Sequence, residues 1–150
     1  MRIAAICVVT IATVLTVLAE NPARIYVYAQ RGTAARAWRQ ISCNGEVVAE
    51  LKQGRFFAIN VVPGRYIVSV DEGVPISVDV RAGEQVFVRL DWDYGLDRPP
   101  IPQLSKVYLA GAQQEIKYLG YVDAKRVHSP MVPRNDPTET FAPRLHTRDE

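Results

Sequence analysis

The stretch DWDYGLD, residues 91–97, brings three carboxylates and two aromatic rings within a few residues of one another. Asp91, Asp93 and Asp97 around Gly95 offer the hard oxygen ligands in a flexible turn that Ca²⁺ takes. The stretch lacks the terminal glutamate that would bind such an ion in bidentate fashion, and Arg98 closes it with a positive charge. The expectation is therefore a recognition loop with no metal. Trp92 and Tyr94 lie between the aspartates, and Trp38 lies earlier in the chain. Aromatic side chains near strand ends stack on sugars or anchor a partner surface, and they equally plug the core of a sandwich. Pro99, Pro100 and Pro102 stiffen the exit, which lowers the ordering cost of binding there.

Other groups capable of chemistry are scattered. His128 and His146, both near the C-terminus, have no cysteine or carboxylate at ligand spacing, which argues against zinc. Ser42, Ser69, Ser77, Ser105 and Ser129 lack a nucleophile-elbow context, and no histidine stands ready as their base. Cys43 is alone once Cys7 is set aside, and is read as a small core residue on a strand. These absences point to a protein that is not an enzyme and uses no cofactor. A net charge of +2 gives no electrostatic footprint for nucleic acid.

The elements that must position the loop are strands. RIYVYA at 24–29 alternates polar and apolar residues, and WRQISCNGEVVAEL at 38–51 folds back on itself. Its turn is Asn44-Gly45, because both central residues of a tight hairpin need positive φ. Lys52-Gln53-Gly54 makes a second turn before RFFAINVV. Pro63 presets φ and Gly64 takes positive φ in an expected type II turn, after which RYIVSV returns antiparallel with Tyr66 laid on the core. PISVDVR at 75–81 and QVFVRLDW follow, each after a glycine-bearing turn. The Pro-rich DYGLDRPPIPQ is expected to cross the fold, with KVYLA at 106–110 as one more strand. AQQEIKYLGYV has helical spacing, with Ile116, Leu119 and Tyr121 on one face and Gly120 as the stop. Turn signals this regular predict a mainly β fold, an antiparallel sandwich of about seven to eight strands with a short C-terminal helix and a disordered tail.

Residues 1–19 form a separate object. Arg2 is followed by an uncharged run, residues 3–19, that ends Val17-Leu18-Ala19. This pattern is a secretory signal peptide, and the alternative is a retained membrane anchor, since the run sits at the short edge of a bilayer span. Cys7 is no lipid-attachment site, because Ile6 precedes it and the apolar run continues beyond it. The organisation expected is a signal at 1–19, a sandwich domain at 20–124 and a Pro-rich flexible tail at 125–150, in a periplasmic or secreted protein.

The ordered set ARIYVYAQRG, ISCNGEVVAELKQGRFFAINVVPGRYIVSVDEG and VDVRAGEQVFVRL resembles the bacterial DUF2846 family over roughly residues 23–120. The resemblance rests on an opening aromatic strand, an NGxxVxxLxxGxFF hairpin, a PGxY turn and an AGExxFVR strand. PGxY also occurs in PEGA-type and carboxypeptidase-regulatory-like sandwiches. The resemblance implies a transthyretin- or Ig-like β-sandwich in the cell envelope, and it carries no catalytic residue over. The function expected is a non-catalytic envelope module with a binding or structural role. Its candidate partners are an envelope protein, peptidoglycan or a polysaccharide, with the membrane added if the N-terminal segment is retained. The alternative is a carbohydrate-binding or metal-assisted enzyme accessory domain that uses residues 91–98.

Overall fold

A computed structural model describes residues 22–32 and 37–138. The expected signal at 1–19, His146 and the end of the tail lie outside the described residues. The described chain forms β1 (Ala23–Ala29), β2 (Arg39–Cys43), β3 (Glu46–Leu51), β4 (Arg55–Val61), β5 (Gly64–Val70), β6 (Ile76–Val80), β7 (Gln85–Asp93) and β8 (Ile101–Val107). Helix α1 (Leu109–Ile116), the short β9 (Gly120–Tyr121) and a 3-10 turn (Ala124–Arg126) follow. One sheet has the order β8-β7-β1-β4-β9, and the other β3-β2-β5-β6. The fold is thus a mainly β sandwich, with most strand pairs antiparallel and β1–β7 and β4–β9 parallel.

Strand alternation puts Ile25, Val27, Phe57, Ile59, Val88 and Leu90 of one sheet against Ile41, Leu51, Val68 and Val78 of the other, all buried. Each such side chain taken fully out of water contributes about 1.5–3 kcal/mol, and this apolar layer holds the sheets together. Cys43 belongs to the layer, and burial raises its thiol pKa, which keeps it an inert core residue. The opposite face of the larger sheet is not left to solvent. Tyr26, Tyr28, Phe56 and Phe87 there form a second apolar cluster with Ala112 and Ile116 of α1. Hence β1, read from sequence as one polar and one apolar face, is buried on both sides.

Asn44 (φ 50°) and Gly45 (φ 83°) form the tight turn expected between β2 and β3. The tip also reaches the neighbouring strand: the Ile67 amide donates to Asn44 Oδ1 at 2.9 Å. Pro63-Gly64 behaves differently from its expectation. It joins β4 of one sheet to β5 of the other, so it is a crossing between sheets rather than a hairpin turn. Gly64 is already the first residue of β5, and its φ lies outside the left-handed region. What fixes the crossing is Tyr66, whose hydroxyl donates to the Val62 carbonyl at 2.6 Å.

The Pro-rich segment is likewise no crossing. Residues 94–100 close a hairpin, and β8 starts at Ile101 rather than Lys106, pairing with β7 from Asp93 back to Phe87. Pro102 is tolerated there because β8 is an edge strand and needs no ladder donor on its free side. The helix ends at Ile116, before the expected glycine stop, and Gly120-Tyr121 pairs with β4 instead. Leu119 and Tyr121 still pack on the same cluster as Ile116. Residues 125–138, expected to be flexible tail, run back over the sandwich. Val127 bridges to Ala49, the Asn60 amide donates to the Met131 carbonyl at 2.8 Å, and Val132 is buried. Sequence polarity hid this, because few apolar side chains suffice when the backbone itself hydrogen-bonds to open strand edges.

Candidate functional site

Four connections meet at one end of the sandwich. β1 and β7 run parallel toward it, β4 leaves from it, and the 52–54 turn links β3 to β4 there. The β1–β2 connection, the 71–75 turn between β5 and β6, and the 94–100 loop between β7 and β8 complete the set. The sequence-chosen residues Trp38, Asp91, Asp93, Trp92, Tyr94 and Asp97 all lie at this loop end. The turn residues Asn44, Gly45, Pro63 and Gly64 lie at the other.

Strand alternation divides the 91–97 cluster. Asp91 and Asp93 share a face with Arg89, toward α1, whereas Trp92 follows Val88 and Leu90 toward the interior and packs partly against the core. Asp91 accepts from Arg89 Nε at 2.8 Å and from the Ser105 hydroxyl at 3.4 Å. Arg89 also reaches Glu115 of α1 at 3.2 Å, and Glu115 accepts the Tyr28 hydroxyl at 2.6 Å. Burial, reinforced by the hydrogen bond to Glu115, raises the Tyr28 pKa well above the usual tyrosine range. The bond to Asp91 likewise raises that of the Arg89 guanidinium. Asp93 is bound by Arg98 across the hairpin. Two of the three aspartates are therefore engaged by arginines, and Asp97 stands exposed. Among the described residues no group of three or more His, Cys, Asp or Glu is placed to hold a metal ion.

Trp38 is half-buried against the core, with Lys52 Nζ 4.7 Å and Arg126 Cζ 4.3 Å from its ring centroid. It fastens the returning 124–133 segment rather than offering a face to solvent. Arg126 in turn donates to Glu50 at 2.8 Å, and this bond lowers the Glu50 pKa. His128 Nε2 lies 3.6 Å from the same carboxylate. Ser129 is buried, and its Oγ accepts from the Met131 amide at 3.3 Å. No serine hydroxyl is hydrogen-bonded to His128 among the described residues.

What the loop end does present is a cleft of about 180 Å³ between the connections. Leu90, Asp91, Trp92 and Tyr94 line one side, and Arg31 and Gln53 the other. Trp92 Nε1 and Gln53 Oε1 are both closed off from water with no hydrogen-bond partner. A buried polar atom left in that state costs about 1–3 kcal/mol. Both residues line the cleft, and the two atoms themselves lie beneath its surface. The other two atoms of this kind, Arg39 Nε and Arg126 Nε, belong to guanidinium groups otherwise paired with carboxylates. Beside the cleft, Tyr94, Leu96 and Val74 are exposed, Leu96 completely. Gln53 had no signal in the sequence beyond its place in a Lys-Gln-Gly turn. Its importance follows only from the packing of Gly32 against its amide, where the methyl group of an alanine at position 32 would stand 3.0 Å from Nε2.

The fold and this end define a β-sandwich with a loop-borne cleft. Comparison with protein-family models, with curated proteins and with solved structures finds no match to the chain.

Proposed function

We propose that the chain is a non-catalytic binding module of the bacterial cell envelope, engaging its ligand with the loop end of the sandwich. The observation that carries the reading is the convergence of four connections around a cleft lined by Arg31, Gln53, Trp92 and Tyr94. Loops held by a rigid β framework are a common place for recognition. The carboxylates of the 91–97 loop are largely engaged in structural ion pairs, which leaves recognition rather than acid–base chemistry as the work of this end. The envelope address rests on the apolar segment 3–19 and on the resemblance to DUF2846. No helix among the described residues is long and apolar enough to cross a membrane.

The test is a backbone amide spectrum of the exported protein, recorded while peptidoglycan fragments, envelope polysaccharide and Ca²⁺ are added in turn. Shifts gathered at residues 30–32, 52–54, 71–75 and 91–98 are the expected result. Shifts gathered instead at residues 44–45, 62–64 and 82–84, or none with any addition, would remove the reading. Intact mass of the exported protein is expected to begin at or near Glu20, and a membrane-bound species retaining Met1 would replace signal cleavage by anchoring.

A further inference from the structure

We infer that Phe141 fills the groove between α1 and the larger sheet, an inference independent of the loop-end reading above. The groove holds about 280 Å³. Tyr26 of β1, Phe87 of β7 and Ile116 of α1 line it, together with Gln113, Lys117 and Thr138. Tyr26 and Phe87 stack with their ring centroids 5.0 Å apart. Those two residues and Ile116 keep 4%, 4% and 8% of their surface exposed, so the groove retains some apolar lining to cover. A cavity of about 150 Å³ with apolar walls already takes benzene, so this one has room for a phenyl ring. A ring seated there takes its own surface and that of the lining out of water together.

The occupant is named by where the described chain ends and how it is aimed. Thr138, the last of the described residues, is itself part of the lining, and the sequence continues from it as ETFAPRLHTRDE. Asp136 Oδ1 accepts from the Thr138 amide at 2.8 Å and from the Thr138 hydroxyl at 2.6 Å. An aspartate that accepts from the amide two residues on is the bond of a helix N-cap. Asp136-Pro137-Thr138-Glu139 has the matching pattern: an acceptor at the cap, proline in the first position and glutamate in the third. The pattern predicts one helical turn from Pro137, and Pro143 ends it at or before Ala142. Residues three apart in such a turn share a face, with about 5–6 Å between their Cβ atoms. Phe141 therefore shares the face of Thr138, which already borders the groove. Leu145, the next large apolar residue, lies beyond Pro143 and off this turn. A single turn is marginal on its own, so the contact of Phe141 with the groove is what holds it.

The experiment is nuclear Overhauser spectroscopy of the full chain, with the Phe141 ring protons observed against the methyl groups of Ile116 and the rings of Tyr26 and Phe87. Cross-peaks between Phe141 and all three are expected. Phe141→Ala is expected to remove the ring-current shift of the Ile116 methyl groups and to move the amide resonances of Gln113, Ile116 and Lys117. Leu145→Ala is the matched control and is expected to leave those resonances in place. Absence of any cross-peak from Phe141 to the groove overturns the inference. So does a groove that responds equally to both variants, or to Leu145→Ala alone. A mixture of differently labelled chains separates the remaining occupant: cross-peaks found only between chains would give the groove to a second copy and overturn the assignment to the same chain. None of these outcomes bears on the loop end, which is tested by its own titration.

Discussion

Gly73 sits in the 71–75 turn at the loop end, and its missing side chain is required by contact rather than by backbone angle. A Cβ there would collide with Val70 Cγ1 and stand 2.7 Å from the Pro102 carbonyl oxygen. The valine methyl can rotate aside. The carbonyl cannot, because Pro102 is fixed in register opposite Trp92 in the β7–β8 ladder. Gly73→Ala must therefore push the turn away from β8, at a cost of about 1–3 kcal/mol. For a domain between the small and mid-sized classes each kcal/mol lowers the melting temperature by roughly 3–5 °C. Gly64→Ala is the matched control. Its nearest neighbour would be Tyr66 Cε2 at 3.9 Å, with no left-handed backbone to oppose a side chain. Removing the glycine's freedom in the unfolded chain should leave stability unchanged or raise it by about 0.4–1 kcal/mol. Thermal and urea unfolding of the two variants decide the matter. Equal effects, or a larger loss at Gly64, would refute both the sheet-crossing account of Pro63-Gly64 and the tight packing of the 71–75 turn on β8.

Buried Tyr28 and half-buried Tyr121 govern alkaline behaviour: burial pushes the pKa of Tyr121 up to about 12, and that of Tyr28 is also raised. An unfolded tyrosine ionises near about pH 10, so the folded chain holds more protons above that pH. Stability should be complete below about pH 10 and fall as pH rises through about 12, and Tyr28→Phe should flatten the slope in a series of urea titrations; a profile unchanged by that variant would contradict the Tyr28–Glu115 bond. Glu50 behaves in the opposite sense, because Arg126 lowers its pKa: the contribution is present above the ordinary carboxylate pKa and is lost as acid titrates Glu50 through its lowered folded value. Glu50→Gln should weaken the hold on residues 124–133 by about 1.5 kcal/mol, and so raise tryptic cleavage after Lys125 or Arg126 about tenfold. A cleavage rate equal to wild type would mean that the segment is held by its backbone bonds alone.

Local features carried well from sequence to structure. Asn44-Gly45 was legible because a tight hairpin turn is decided by the φ demands of its own two residues. The strands were legible because alternation records which face is buried. What could not be read was the partner each strand would take. Pro63-Gly64 looks the same locally whether the chain turns back within a sheet or steps across to the other, and only the assembled sandwich makes it a crossing. The 91–97 cluster lost its unity for a related reason. Neighbours in sequence point to opposite faces of a strand, so Trp92 parts from Asp91 and Asp93. Gln53 was invisible because the burial of its amide oxygen is a property of the folded surroundings, Gly32 among them, rather than of its own Lys-Gln-Gly turn.

The placement of β1 has a mechanical consequence. The strand begins at the end opposite the loops and is hydrogen-bonded on both sides, to β4 from Ala23 to Ala29 and to β7 from Arg24 to Tyr28. Tension applied through the residues before Ala23 against a hold at the loop end therefore acts along the axis of a central strand. Both ladders are loaded in shear, so their bonds resist together instead of opening one after another. A body gripped by its N-terminal side and pulled by its loops is strained in the direction in which its larger sheet is hardest to part.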